Sequence, residues 1–116
     1  MELTVNGKTK ELKFGIGFIR ELDKIYKADL HGFAFGMGLT MGMAQLRQYN
    51  PTALSDVVKA AVKGNLSLQK VDELIEEYAE ENDGLDSLFQ EIIEEVGKSP
   101  VTKATLAKMT EATESE

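Results

Sequence analysis

The sequence predicts a mainly α fold carrying a small N-terminal β-hairpin (α+β): about five helices in one compact domain, then a flexible acidic C-terminal tail. Apolar residues recur at three- and four-residue spacing in five separate stretches between residues 18 and 96. Asn6-Gly7, the dipeptide that best tolerates the two positive φ angles of a type I′ turn, stands between two short alternating segments. A chain of 116 residues with 42% hydrophobic side chains suffices for one core and not for two. The predicted domain is 1–97, and 98–116 is a weakly structured tail.

In the hairpin, residues 2–5 and 8–14 flank the turn, and Leu3, Val5, Leu12 and Phe14 give one face to the core. An isolated hairpin is marginal in water, so this one leans on helices or pairs with a further strand, and a neighbouring subunit is one way to close its free edge. A first helix is predicted over 18–27, with Phe18, Ile19, Leu22, Ile25 and Tyr26 on one stripe and Arg20, Asp23, Lys24 and Lys27 opposite. Residues 29–32 read as a loop. A second helix starts near Gly38 and stops at Tyr49-Asn50, because Pro51 disfavours a helical residue before it. Leu39, Met43 and Leu46 face its core side. Pro51 then opens a third helix capped by Asn50, with Leu54, Val57, Val58 and Ala61 inward and Gly64-Asn65 as its stop. Ser67 caps a fourth, in which Leu68, Val71, Leu74, Ile75 and Tyr78 repeat. Its other face carries Glu73, Glu76, Glu77, Glu80 and Glu81, and Asn82-Asp83-Gly84 breaks it. A fifth spans 85–96, with Leu85, Leu88, Phe89, Ile92 and Val96 inward. Beyond residue 100 Thr, Glu and Ser dominate, a weakly helical or disordered composition.

The net charge of −7 is unevenly spread. Residues 1–66 hold nine Lys or Arg against six Asp or Glu, and residues 67–116 hold four against fourteen. Such a chain repels phosphate backbones, so no nucleic-acid partner is expected; a basic protein partner, or contact between copies, suits it better. The acidic half also serves plain solubility. No apolar run approaches the roughly 20 residues of a membrane helix, and residues 1–10 lack the apolar stretch of a signal peptide. With no cysteine, disulfides and thiolate chemistry are absent. These features together suit the cytoplasm.

No arrangement of residues points to catalysis, and no cofactor or metal is expected. His31 is the only histidine, which rules out a paired-histidine metal site. The glutamates of the fourth helix form a solvated face, and residues 72–83 lack the alternating acidic pattern of a calcium loop. Gly36, Gly38 and Gly42 resemble a nucleotide loop, but the third glycine falls one place late for a dinucleotide fingerprint and no Gly-Lys-Ser/Thr comes after it.

What stands out is the uncharged stretch 33–43, FAFGMGLTMGM. Leu39 and Met43 suit the core. Phe33, Phe35, Met37 and Met41 stand between core and interface: unbranched, polarizable methionines separated by glycines make a surface that adapts to a partner. The glycines each cost a helix about 1 kcal/mol relative to alanine, so the segment is a candidate to order on binding.

The opening MELTVNGKTKELKFGIGFIRELDKIY, the stretch FGMGLTMGMAQLRQYNPTALSDVVKAA and the acidic ending resemble the tail assembly chaperone family of tailed bacteriophages and prophages of Gram-positive bacteria. The likeness runs over roughly residues 1–97. It implies a non-enzymatic protein that binds the tape measure protein, the long helical rod that sets tail length, and keeps it soluble while the tail tube polymerises. It further implies action in the host cytoplasm, absence from the mature virion, and a longer frameshifted form sharing this N-terminal domain, while the free hairpin edge and the exposed apolar residues themselves call for self-association. Two other readings fit the residues. One is a structural virion component of the head–tail connector type. The other is a small helical regulatory or DNA-binding domain, against which stand Asp72, Glu73, Glu76 and Glu77 on the helix that would read bases.

Overall fold

Asn6 and Gly7 adopt φ angles of 55° and 76°, both positive as a type I′ turn demands, and the hairpin forms around them. In the computed structural model, which describes residues 1–30 and 33–114, strands β1 (Glu2–Val5) and β2 (Lys8–Glu11) pair antiparallel with Leu3 opposite Lys10 and Val5 opposite Lys8. Leu3, Val5, Leu12 and Phe14 are all buried, so the predicted alternation holds. The support that a lone hairpin lacks comes from the end of a helix. Past β2 the chain runs against residues 61–63: Lys13 N–H donates to the Ala61 carbonyl at 2.9 Å and Lys63 N–H to that of Glu11 at 2.9 Å. This pairing ends the Pro51–Ala61 helix, ahead of the Gly64-Asn65 stop that the sequence suggests.

Helix α1 (Ile16–Ile25) begins two residues earlier than predicted. Phe18 and Leu22 are buried and Ile19 packs beside them, but Ile25 is 43% exposed and leaves the inward stripe. Ile25 is the last residue of the helix. Beyond it the chain turns at once into β3 (Lys27–Leu30), which pairs antiparallel with β4 (Phe33–Gly36), Leu30 opposite Phe33 and Lys27 opposite Gly36. Residues 29–30, a loop by sequence expectation, belong instead to this second hairpin. The stretch 33–43 is therefore split, its first four residues strand and its remainder largely helix.

Helices α2 (Gly38–Arg47), α3 (Pro51–Ala61), α4 (Leu68–Asn82) and α5 (Asp86–Lys98) lie where the spacing predicts them. Asn50 caps α3, its side-chain oxygen accepting from Thr52 N–H at 3.0 Å, and Ser67 caps α4 through Lys70 N–H at 3.2 Å. Asp83, at φ 53°, closes α4 in the left-handed conformation. Tyr49 also takes a positive φ of 56° where α2 ends, a position that glycine usually fills. Its ring stacks on Phe89 of α5 with centroids 4.6 Å apart, and that contact gives a reason for a tyrosine there. Leu46, Leu54, Val58, Leu88 and Ile92 meet in the core, each side chain sealed from water and contributing about 1.5–3 kcal/mol by burial. On α4 one predicted inward residue is not: Leu68 is 47% exposed in the first turn, whereas Leu85, just ahead of α5, is half-buried and packs against the core.

After α5, Ser99 donates its hydroxyl to the Phe14 carbonyl at 2.6 Å, and Thr102, fully buried, donates to the Val96 carbonyl. Both tie the chain beyond Lys98 back to the core. The Thr, Glu and Ser-rich end then forms a sixth helix, α6 (Lys103–Glu114), which touches α5.

Candidate functional site

The methionine stretch divides by depth. Leu39, Met43 and Leu46 are buried on the core side of α2. Met37 is half-buried at the helix start, and Met41, one turn on, is 38% exposed. Met41 N–H donates to the Met37 carbonyl at 2.9 Å, so the two residues succeed each other along one side of the helix. Phe33 and Phe35 are placed on β4 by their backbone; their side chains lie outside the described residues, as does His31.

The glycines have distinct reasons. At Gly38 a Cβ would stand 2.5 Å from the Leu22 carbonyl carbon and 2.6 Å from Asp23 N, so only glycine lets the start of α2 lie against α1. The Gly38 N–H there donates to Asp23 Oδ1 at 2.9 Å, which caps α2 with a carboxylate from the neighbouring helix. Gly42 is looser: a Cβ would meet Leu22, Tyr26 and Val57 at 3.8 Å, ordinary contact distance. The glycine at position 38 thus serves close packing, a role that propensity alone does not reveal.

A second feature lies between α3 and α4. Ser55 and Asp56 on one helix and Leu68, Asp72, Ile75 and Glu76 on the other line a cleft of about 340 Å³. Ser55 donates its hydroxyl to Asp72, and Tyr26 donates to Asp56 at 3.2 Å. Burial pushes the Asp56 carboxyl up from its ordinary value; the Tyr26 hydrogen bond opposes this and the Asp72 charge adds to it. Burial beside Asp56 also pushes the Tyr26 phenol up to about 12. Folded Asp56 keeps its proton to higher pH than the unfolded chain does. This group's contribution to stability therefore falls as pH rises from the ordinary aspartate range through the raised value. Asp56→Asn, which keeps an acceptor for Tyr26, is expected to flatten that part of the pH profile. Chemical denaturation across the acid range checks it.

Sequence reasoning did not find this cleft. Its traces were Asp56, an acid beside the apolar stripe of α3, and Leu68, an apolar residue in the first turn of an acidic helix. Another cleft, of about 580 Å³, exposes Ile16 and Val101, with Lys13 and Glu21 giving opposite signs at its edge. No group of three or more His, Asp or Glu side chains among the described residues is placed to hold a metal ion. No helix of the described residues is long and apolar enough to cross a membrane.

Residues 2–111 match the family described as phage tail assembly chaperone protein, TAC. The chain belongs to the phage tail assembly chaperone family. The match takes in both hairpins, all five helices of the packed body and most of α6. No curated protein and no solved structure matches the chaperone. Its family role carries no catalytic step, and its partners are proteins of the phage tail.

Proposed function

We propose that this chain binds the tape measure protein and keeps it soluble in the host cytoplasm while the tail forms around it, and that it is left out of the finished virion. The observation that carries the reading is the match to the chaperone family over residues 2–111. What the geometry adds in support is apolar surface on a helix packed into the core. Met41 lies open on α2 while Leu39 and Met43 anchor the same helix in the core, so the outer side of α2 is offered without loosening the fold. Unbranched thioethers on such a helix accommodate partners of varied shape, which suits a long rod that presents many different segments. We assign Phe33, Phe35, Met37 and Met41 to that contact. Self-association would bring several such surfaces to one rod, and a longer frameshifted form would share this body.

Co-expression with the tape measure protein tests the proposal. The rod is expected in the soluble fraction with the wild-type chain and as aggregate without it. Joint replacement of Phe33, Phe35, Met37 and Met41 by serine is expected to return most of it to the pellet, while circular dichroism of the variant retains the helical signal. A rod equally soluble with and without the chain would contradict the proposal.

A further inference from the structure

We infer that the cleft between α3 and α4 seats an amphipathic helix whose apolar stripe is edged with lysine or arginine. The inference rests on the chaperone reading for where such a helix comes from, and on the cleft for its chemistry. Leu68, Asp72, Ile75, Glu76 and Ala79 lie along one face of α4, which at the ordinary rise per residue is about 16 Å, or three turns. A shallow trough of that length between two helices is the shape a third helix fills. Its floor is apolar: Ile75 is buried, Leu85 half-buried, and Leu68 stands 47% exposed at the edge with its apolar surface uncovered.

The charge selects the occupant. Asp56, Asp72 and Glu76 all line the cleft, and among the described residues no lysine or arginine does. The ion pairs of α4 and α5 lie elsewhere: Lys70 reaches Glu73 on the outer side of α4, and Lys98 pairs with Glu94 on α5. Asp72 and Glu76 are one helical turn apart, the spacing at which a docked helix would place two cations of its own. Burial and the neighbouring Asp72 both disfavour ionised Asp56, so a cation arriving from a partner relieves a cost already present in the free chain. A row of carboxylates over an apolar floor rejects an acidic or purely apolar helix and accepts a basic amphipathic one.

The test is an NMR titration of the full-length chain with two synthetic helical peptides that share a leucine stripe, one edged with lysines and the other with glutamates. The lysine peptide is expected to shift amide signals of α3 and α4 that face the cleft, and added salt to weaken it; the glutamate peptide should leave them unmoved. Leu68→Ser and Glu76→Lys change exposed residues and should leave the melting temperature in place, yet each is expected to weaken lysine-peptide binding about tenfold or more. Equal binding of both peptides, signals moving on α2 in place of the cleft, or no binding at all would overturn the inference. So would cleft signals that shift on dilution of the protein alone, which would put a second copy there. Should the lysine peptide seat as expected while co-expression leaves the rod insoluble, the functional reading falls and the cleft's chemistry stands. Should the rod be captured by the wild-type chain while the lysine peptide finds no seat, the reverse holds.

Discussion

Gly38→Ala is expected to destabilise the chain by about 3 kcal/mol, the upper part of the range for forcing a methyl group into a packed interior. The added carbon would collide with backbone atoms of Leu22 and Asp23 at 2.5–2.6 Å, and backbone in the middle of a helix has no rotamer by which to give way. Relief requires α1 and α2 to separate, which also pulls the Gly38 N–H away from Asp23 Oδ1. For a domain of this size the midpoint of thermal unfolding should fall by roughly 10 °C. Gly42→Ala is the control on the same helix. Its methyl lands at ordinary contact distance, and alanine's helix propensity should add about 1 kcal/mol of stability. Thermal melts of the two variants, moving in opposite directions, separate a glycine required for packing from one that is not.

Leu46→Ala is expected to cost about 3 kcal/mol, within the roughly 2–5 kcal/mol found when a large buried aliphatic side chain is cut to a methyl. Leu46 is sealed from solvent and belongs to the same core cluster as Leu54, Leu88 and Ile92, so no side chain at the surface can fold in to fill the space. Met41→Ala, five residues earlier on the same helix and 38% exposed, should change stability by no more than about 0.5 kcal/mol. Denaturant titration of the pair tests the division of the methionine stretch into a core side and an outward side. Similar losses in both variants would mean that Met41 is structural, and would remove it from the proposed contact surface.

Much of this architecture is legible from local signals. Asn6-Gly7 fixes the first hairpin because few other dipeptides take two positive φ angles. Asn50-Pro51 and Ser67 mark helix starts because a side-chain oxygen there satisfies a free backbone N–H. What depends on tertiary neighbours is not legible. Helix α3 stops at Ala61 because residues 61–63 pair with the chain after β2, a partner far away in sequence. The second hairpin hides because Lys27–Leu30 and Phe33–Gly36 are four residues each, too short to show a period against the helices on either side. Ile25 and Leu68 sit at helical spacing beside true core residues, and only the packing reveals that they face outward. For the candidate site, Met37 and Met41 were visible as part of an uncharged methionine run. The acidic cleft was not, since it needs α3 and α4 side by side to exist.

A protein that covers another polypeptide's apolar surface during assembly and then departs leaves a distinct trace: abundant in the infected cell, missing from the product. Quantitative mass spectrometry of infected-cell lysate and of purified virions tests this most directly. A soluble complex of the chain with the tape measure protein is expected in the lysate, and none of the chain in the particles. Recovery of the chain in mature virions in fixed proportion to tail proteins would contradict the proposed role.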